Sequence, residues 1–413
     1  MSKAISTFGA LKLAQDQIAD LDQQLLKRKL RTTSSACNPN ILVSGRELKA
    51  FCSNDYLGLA NHPEIAKALT EGVEKYGAGS GASHLISGHN IAHEQLEKKL
   101  ASLQTPYIPQ AQALFFSTGY LANITAITSL ARLAPQGNTS IYSAKLNHAS
   151  LIDGIRLASA QTNAAVTLFD HTELQTFIES IKNDRRPQKI IVTDGVFSMD
   201  GDLAPIKKLL EIAEQYDALL LVDDAHGFGV LGKQGHGILQ QENIYSDRII
   251  YVGTLGKAAG VSGAFICAHN PFVEWMIQKG RPYIYSTATP PAIANALLKS
   301  MEIIDSDEGK QRRAHLHRLI DIWQKEMHFS TWEKISSCTP IQPLILGSNA
   351  SALLAAKLLD DAGYWIPAIR PPTVPIGSSR LRVTFSASHS EDELRALIQT
   401  LQSIERHILE KKL

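Results

Sequence analysis

The chain has few cysteines and none in a metal-binding or disulfide-like arrangement. Four cysteines occur in 413 residues. They are widely spaced and form no CxxC pair: Cys37, Cys52, Cys267 and Cys338. This spacing argues against a disulfide framework and against a zinc ribbon. A reducing cytoplasm is the compartment that fits best, and we predict no metal site.

The chain also lacks a charge imbalance and a long hydrophobic run. The 41 lysines and arginines almost balance the 40 aspartates and glutamates, which argues against a polyanion-binding surface of the kind that nucleic-acid proteins show. No run approaches the ~18 apolar residues that a membrane span needs, and the N-terminal region contains no apolar signal-peptide core. We therefore expect an untargeted, soluble cytoplasmic protein with no nucleic-acid or membrane partner.

The apolar residues that are present indicate a large core and an N-terminal helix. Hydrophobic residues make up 44% of the chain, which is enough for a large core. A length of 413 residues favours several domains or one large α/β domain with an appendage. From Leu11 to about Leu30, leucines and isoleucines recur at helical spacing and end in the basic stretch "LLKRKLR". This spacing predicts an exposed helix, followed by a polar linker, over residues 1–48.

The middle of the chain repeats one pattern of apolar run and amphipathic segment. The runs "KIIVTD", "ALLLVDD" and "RIIYVGT" end at Asp194, Asp224 and Thr254, with the ~30-residue spacing of a βαβ unit. A helix that begins at Pro205 is predicted between the first two runs. The pattern predicts a large α/β domain over residues 49–298, with a mostly parallel sheet covered on both faces.

The texture of the sequence changes from about Ser300. Long helical patterns come first, then the short strands "IQPLILG" and "SRLRVTFSA", and then a last helical pattern, "SEDELRALIQTLQSIERHILEKKL". This order predicts a second, smaller α+β domain over residues 299–413.

A cluster of polar residues follows one predicted strand directly. Asp223, Asp224 and His226 come after the run "ALLLV", where parallel sheets present ligand sites beyond the carboxyl ends of their strands. The three side chains could bind a divalent metal, as in a metal-dependent hydrolase. They could equally be a helix cap beside a hydrogen-bonded structural histidine.

The next strand leads into a lysine with glycine and alanine neighbours. Lys257 in "GTLGKAAG" has few solvating neighbours in sequence, and a desolvated lysine amine can be neutral and nucleophilic. The alternative is a surface lysine in a flexible loop. A lysine Schiff base, together with an aspartate such as Asp223 opposite a pyridinium nitrogen, is the arrangement that pyridoxal phosphate requires.

Three further stretches could contribute to such a site. "LFFSTGYLAN" joins an apolar run to a helix through a Ser-Thr-Gly turn, and a helix N-terminus binds phosphate. His148 in "KLNHASLIDG" could stack on a heterocycle or be structural. The glycine-dense stretch from Gly77 allows close backbone approach to a ligand, or forms a flexible lid.

Taken in order, these motifs and several others resemble one enzyme family. "FCSNDYLGLANHP", "GAGSGASHLISG", "FFSTGYLAN", "TDGVFSMDGDLAP", "LVDDAHGFGVLG", "GTLGKAAGVSGA" and "YIYSTATPP" are similar to motifs of the α-oxoamine synthases. The resemblance covers almost the whole chain. It implies a pyridoxal phosphate enzyme of the aspartate aminotransferase-like fold, fold type I, that joins an amino acid to an acyl thioester with loss of carbon dioxide.

Within this family, "AIRPPTVP" favours the member of biotin biosynthesis. That member is an acyltransferase that condenses L-alanine with pimeloyl-CoA or pimeloyl-acyl carrier protein. The family alternatives are glycine with acetyl-CoA or succinyl-CoA, and serine with a long acyl chain. Discrimination among these substrates requires an assay of thiol release against a panel of amino acids and thioesters.

The resemblance also implies roles for cofactor-binding residues. Lys257 would form the Schiff base, Asp223 would pair with the pyridine nitrogen, and His226 would contact the phenolic oxygen. His148 would stack on the ring. The remaining cofactor residues are implied near the phosphate or the phenolic oxygen: Gly119, Tyr120, Ser198, Thr254 and Thr287, the last reaching the cofactor of the other subunit in a homodimer.

Substrate-binding residues are implied by the same resemblance. Arg382 would bind the amino-acid carboxylate, with Arg380 as its competitor. Arg28 would meet the distal end of the acyl chain, or Arg31 would do so if the alignment shifts. The other positions implied near substrate or cofactor are Asn54, Tyr56, Thr373 and Asp194, of which Asp194 stands where some members carry glutamate.

Overall fold

The computed structural model of the chain describes residues 9–410. Its helices are α1 Gly9–Gln23, α2 Pro63–Tyr76, α3 Ile91–Gln104, α4 Gly119–Leu130, α5 Ala149–Thr162, α6 Gln175–Asn183, α7 Ile206–Gln215, α8 Ile238–Glu242, α9 Asn270–Lys279, α10 Arg281–Ile284, α11 Pro291–Asp305, α12 Asp307–Glu326, α13 Asn349–Asp361 and α14 Glu391–Glu410. Its strands are β1 Asn40–Val43, β2 Arg46–Ala50, β3 Ala111–Phe116, β4 Thr139–Ala144, β5 Ala165–Phe169, β6 Gln188–Asp194, β7 Ala218–Asp223, β8 Ile249–Thr254, β9 Ala264–His269, β10 Glu333–Lys334, β11 Ile341–Gly347, β12 Tyr364–Trp365, β13 Ala368–Ile369 and β14 Ser379–Thr384. A π-helical turn covers His84–Gly88.

A seven-stranded sheet in the order β3-β9-β8-β7-β6-β4-β5 forms the centre of the molecule. The five strands from β8 to β5 run parallel, and β9 is antiparallel to its neighbours β8 and β3. The three apolar runs singled out in the sequence are the neighbouring strands β6, β7 and β8. The predicted α/β fold with a mostly parallel sheet is therefore confirmed.

Helices cover both faces of this sheet. Along β7, Leu220 and Val222 belong to one buried hydrophobic cluster, whereas Leu219 and Leu221 belong to another. Because successive side chains of a strand point to opposite faces, this division places a hydrophobic layer on each side of the sheet. Helix α7 follows Pro205, as predicted, and buries its apolar stripe.

Two smaller sheets accompany the large one. An antiparallel sheet in the order β10-β11-β14-β13 is built from the C-terminal part of the chain, and a three-stranded sheet joins the β1–β2 hairpin to β12. Strand β2 spans the predicted boundary between residues 48 and 49, and it pairs in parallel with β12. The division into 1–48, 49–298 and 299–413 stays a prediction.

The N-terminal helix is shorter than predicted. It ends at Gln23 rather than about Leu30, because Leu25 adopts a φ of 57°, a left-handed conformation that cannot continue a right-handed helix. The amide of Leu26 bonds back to the Leu21 carbonyl at 2.7 Å. The basic stretch that follows is therefore irregular chain. Among residues 9–410, no helix combines the length and apolar character required to cross a bilayer.

Candidate active site

The candidate active site lies at the carboxyl ends of three neighbouring parallel strands. Asp194 ends β6 and pairs in register with Asp223, which ends β7. Thr254 ends β8, and Lys257 follows three residues later. The apolar residues of these strands are buried in the sheet, and the first polar residues follow at this edge. Open α/β sheets bind ligands at this edge.

Lys257 is partly buried and contacts a histidine. Its Nζ lies 2.8 Å from His226 Nε2. Burial lowers the pKa of Lys257 to about 8, while the carboxylates of Asp223 and Asp194 act in the opposite direction. The amine is thus neutral in a larger fraction of molecules near neutral pH than an ordinary lysine. The contact with His226 favours a held lysine over a solvated lysine in a flexible loop.

His226 connects Lys257 to a chain of polar groups. Its Nδ1 lies 2.6 Å from the Tyr56 hydroxyl, which lies 3.0 Å from Asn54 Oδ1. One direction of donation satisfies every contact: Lys257 to His226, His226 Nδ1–H to Tyr56, and the Tyr56 hydroxyl to Asn54. Burial, reinforced by the positive charge of Lys257, lowers the pKa of His226 well below its usual value. This series of hydrogen bonds requires a neutral imidazole at His226.

The two adjacent aspartates point to different partners. Asp223 Oδ2 accepts from Asn123 Nδ2 at 2.6 Å, and its Oδ1 accepts from the Ala225 amide at 3.0 Å. Asp224 instead accepts from the Ile238 amide at 2.7 Å and from the Tyr251 hydroxyl at 2.8 Å. The hypothesis of a metal site that uses Asp223, Asp224 and His226 together is therefore wrong, because Asp224 holds the following loop.

His148 caps helix α5 beside the carboxylates of Asp194 and Asp223. Its Nδ1 lies 2.7 Å from Ser150 Oγ, and its backbone amide donates to Asp194 Oδ2 at 2.7 Å. Burial lowers the pKa of His148, although the Asp223 carboxylate opposes this. Burial also raises the pKa of Asp194 well above its usual value, with the Asp223 charge adding to the effect. Asp194 thus fixes the loop that carries His148.

An anion-binding turn lies at the start of α4. Thr118 caps the helix, with its Oγ1 accepting from the Leu121 amide at 3.2 Å. The first amides of a helix have no intrahelical acceptor and can bind phosphate, and here they belong to Gly119 and Tyr120. A Cβ built on Gly119 would meet only Ala264 Cβ, at 3.9 Å, so the turn has open space in front of it. Thr254 Oγ1 donates to the Gly263 carbonyl at 3.2 Å.

Thr287 lies in the loop before α11 and forms an isolated bridge with Ser83. It lines a narrow cavity together with Ser117 of the same chain. Its predicted contact with the cofactor of a second subunit stays a prediction.

Arg382 and Arg380 are both buried on β14 but have different partners. Arg382 donates from Nε to the Ser198 carbonyl at 2.6 Å and from Nη1 to Asn54 Oδ1 at 3.2 Å. Arg380 forms an ion pair with Asp200 at 2.6 Å. Within residues 9–410, Arg382 has no carboxylate at ion-pair distance. These contacts favour Arg382 over Arg380 as the group open to a substrate carboxylate, and its role stays a prediction.

Arg28 and Arg31 also differ in their surroundings. Arg28 Nη2 lies 3.5 Å from Thr373 Oγ1, and both residues line a cavity of about 60 Å³. Arg31 forms a 2.7 Å ion pair with Asp360 and lies 4.9 Å from the centre of the Trp365 ring. These contacts favour Arg28 as the residue open to a ligand, and its role stays a prediction.

A cavity of about 630 Å³ lies away from Lys257 and is lined partly by His84 and His89. These two residues and His93 have ligand atoms within 4.8 Å of one another. Both ring nitrogens of His93 are already engaged, because Nδ1 accepts from the Asn90 amide at 3.0 Å and Nε2 lies 2.7 Å from the Thr289 carbonyl. The cluster is therefore no open three-histidine metal site. The absence of a metal stays a prediction.

The sequence interpretation missed Asn123. This residue bonds both Asp223 and Ser150 from within α4, a helix that is otherwise mostly apolar. The one available signal was a buried-type polar residue one helical turn after Gly119, in "GYLANI".

The chain is similar to known proteins over most of its length. Residues 47–401 match the family "Aminotransferase class I and II". The chain is 50% identical over 392 residues to 8-amino-7-oxononanoate synthase of Janthinobacterium sp. (strain Marseille), covering 95% of this chain and 98% of that protein. It is 52% identical over 392 residues to the protein of the same name from Cupriavidus metallidurans, covering 93% and 95%.

Solved structures show the same likeness. Sphingomonas wittichii serine palmitoyltransferase superposes with a TM-score of 0.84 at 25% identity, covering 98% of this chain and 99% of that one. A structure described as SPT with PLP internal aldimine gives the same values. 8-Amino-7-oxononanoate synthase from Francisella tularensis gives a TM-score of 0.72 at 28% identity, covering 89% and 99%. The chain belongs to the α-oxoamine synthases, pyridoxal phosphate enzymes within the class I and II aminotransferase family.

Proposed function

We propose that this chain is an 8-amino-7-oxononanoate synthase of biotin biosynthesis. It condenses L-alanine with pimeloyl-CoA or pimeloyl-acyl carrier protein, and it releases 8-amino-7-oxononanoate, carbon dioxide and the free thiol. The observation that carries the proposal is the partly buried Lys257 amine, of lowered pKa, held beside His226 at the strand ends. Relatives of this name at about half identity over most of the chain support the choice of substrates.

The residues present fit pyridoxal phosphate. The cofactor needs an amine that can become neutral, a carboxylate for its ring nitrogen and a donor-rich turn for its phosphate. Lys257, Asp223 and the open turn at Gly119 meet these three needs. When bound, the cofactor supplies an electron sink that stabilises negative charge at the amino acid's Cα.

Each remaining cofactor residue has a proposed role. His148 would lie against the ring face, and His226 would contact the phenolic oxygen, with Ser198 nearby. The phosphate would be held by the following groups: the Gly119 and Tyr120 amides, the Thr254 hydroxyl, and Thr287 contributed by the other subunit of a homodimer. Tyr120 would act through its backbone, because its hydroxyl already donates to Asp153.

Lys257 is also the proposed base. Its pKa of about 8 lies close to neutral pH, where a base combines a useful neutral fraction with proton affinity. The hydrogen bonds through His226 and Tyr56 hold Nζ in one place. The Cα proton of L-alanine would pass to Nζ, and the same group would return a proton at the end of the reaction.

The two ends of the substrates would meet different arginines. Arg382 would take the alanine carboxylate, because a guanidinium fork suits bidentate carboxylate binding. Arg28, beside Thr373, would meet the distal carboxylate of the pimeloyl chain. The cytoplasmic location expected from the sequence stays a prediction.

The proposed function is tested by product identification. The purified chain, supplied with pyridoxal phosphate, is incubated with L-alanine and pimeloyl-CoA, and the product is analysed by mass spectrometry. We expect 8-amino-7-oxononanoate with the wild type and none with Lys257→Ala. The same assay with glycine or serine, and with acetyl-CoA, succinyl-CoA or a long-chain acyl-CoA, is the matched comparison. A clear preference for glycine or serine would contradict the proposal.

A further inference from the structure

One buried amide connects two groups that lie on different elements of the site. Asn123 Nδ2, on α4, donates to Asp223 Oδ2 at 2.6 Å and to Ser150 Oγ at 2.9 Å. Ser150 Oγ in turn lies 2.7 Å from His148 Nδ1. The carboxylate at the end of β7 and the imidazole at the start of α5 are thus joined through Asn123.

The donor and acceptor types of these groups determine the direction of each hydrogen bond. The Ser150 backbone amide, which can only donate, points to His148 Nδ1 at 3.3 Å, so Nδ1 is an acceptor. The Ser150 hydroxyl therefore gives its proton to His148 and accepts from Asn123. His148 carries its own proton on Nε2, and its ring orientation depends on Ser150.

Asn123 has only one workable orientation. Both Nδ2 protons are used, and Oδ1 is buried without a partner among residues 9–410. Flipping the amide would place Oδ1 against the Asp223 carboxylate, which is repulsive. The carboxylate therefore fixes the amide, and the amide fixes the carboxylate.

The packing of α4 against α5 permits this reach. A Cβ built on Gly154 would lie 3.0 Å from Ile127 Cδ1 and 3.5 Å from the Asn123 carbonyl oxygen. Gly154 thus allows the close approach of the two helices that brings Asn123 to the first turn of α5. The position of Asn123 is therefore set by the packing of the two helices and not by an adjustable surface contact.

We propose that Asn123 is a positioning residue that holds the Asp223 carboxylate and the His148 imidazole in one fixed relation around the cofactor ring. The inference rests on the proposed function, because the two groups need a common geometry when a ring lies between them. Asn123 acts through these neighbours.

The test compares Asn123→Ala and Ser150→Ala in the holoenzyme. Loss of a hydrogen bond to a charged group predicts a fall in kcat of about 10- to 100-fold for Asn123→Ala, with KM for alanine changed by less than about threefold. The pH midpoint of the visible cofactor band and its circular dichroism should both change. Ser150→Ala should cost less, because it leaves the Asn123–Asp223 bond in place. The effects of the two substitutions should be less than additive in the double variant, because Asn123 reaches His148 through Ser150.

Ser129→Ala is the matched control, since Ser129 lies buried on the same helix and its hydroxyl has no partner among the described residues. It should behave as the wild type. If Asn123→Ala does not fold, Asn123→Ser, which keeps a single donor, carries the comparison. A wild-type pH midpoint, band and kcat in the Asn123 variants would overturn the inference. A wild type that shows the cofactor band but makes no product overturns the proposed function alone, because the band still tests Asn123.

Discussion

The Nζ atom of Lys257 and the Nε2 atom of His226 lie 2.8 Å apart beyond the carboxyl ends of the parallel strands. Burial lowers the pKa of both groups, and the positive charge of Lys257 adds to the effect on His226. Because His226 Nδ1 faces Tyr56, its Nε2 is free to accept from the amine. Burial thus gives a lysine that loses its proton readily, and the contact with His226 holds its amine in place.

The first prediction concerns how fast Lys257 reacts with the cofactor. The neutral amine attacks the aldehyde, and its fraction rises as pH increases through the pKa of about 8. The rate of appearance of the cofactor band in the cofactor-free protein should therefore rise with pH and level off above this value. Stopped-flow absorbance against pH measures it, with N-acetyl-lysine as the control. A midpoint near the ordinary lysine pKa of about 10.4 would contradict the prediction.

The second prediction concerns the polar chain beyond His226. Tyr56→Phe removes the partner of His226 Nδ1 and leaves that buried nitrogen unsatisfied. We expect kcat to fall by about 5- to 30-fold, equivalent to a lost hydrogen bond worth about 1–2 kcal/mol. Tyr142→Phe is the control, because its hydroxyl donates to Asp184 instead. Equal kinetics for the two variants would remove Tyr56 from the account.

The third prediction separates Arg382 from Arg380. Arg382→Ala should raise KM for alanine by about 30-fold or more, and Arg382→Lys should restore little, because an ammonium does not reproduce the bidentate fork. Arg380→Ala breaks the ion pair between the buried Arg380 and the partly exposed Asp200 and should lower the free energy of unfolding by about 1–3 kcal/mol. Steady-state kinetics and urea unfolding measure the two effects. The opposite assignment, with KM following Arg380, would contradict the site.

The fourth prediction concerns the distal carboxylate of the acyl chain. Arg28→Ala should raise KM for pimeloyl-CoA by about 5- to 20-fold, through loss of a partly solvated charge pair worth about 1–2 kcal/mol. Heptanoyl-CoA, which lacks that carboxylate, should be used equally by the variant and the wild type. Arg31→Ala is the control, since Arg31 pairs with Asp360. An equal rise in KM for both thioesters would show that Arg28 does not bind the distal carboxylate.

Much of the fold could be predicted from the sequence because its strands are continuous apolar runs that end in charge. A run such as Ala218–Val222 can only be buried, and the first polar residue after it marks the edge of the sheet. The end of α1 could not be predicted, since the left-handed Leu25 interrupts a pattern that stays helical in its spacing. The apolar period carries no information on such a single backbone torsion.

The site could be predicted in its residue types but not in its pairings. Arg380 and Arg382 lie two positions apart on one strand and share a face, so the pattern alone cannot show that Asp200 is the partner of Arg380. Asp223 and Asp224 are adjacent, and only the loop that bonds Asp224 through Ile238 separates their roles. The role of Asn123 could not be predicted, because its partners Ser150 and Asp223 are distant in sequence.

The measurement that tests the central claim most directly is borohydride reduction of the holoenzyme followed by peptide mass spectrometry. The account predicts that the pyridoxyl group is fixed to Lys257 and to no other lysine, and that an absorbance band near ~420 nm disappears on reduction. Lys257→Ala should show neither the band nor the modified peptide. An unmodified Lys257 in wild-type protein that retains the cofactor would contradict the account.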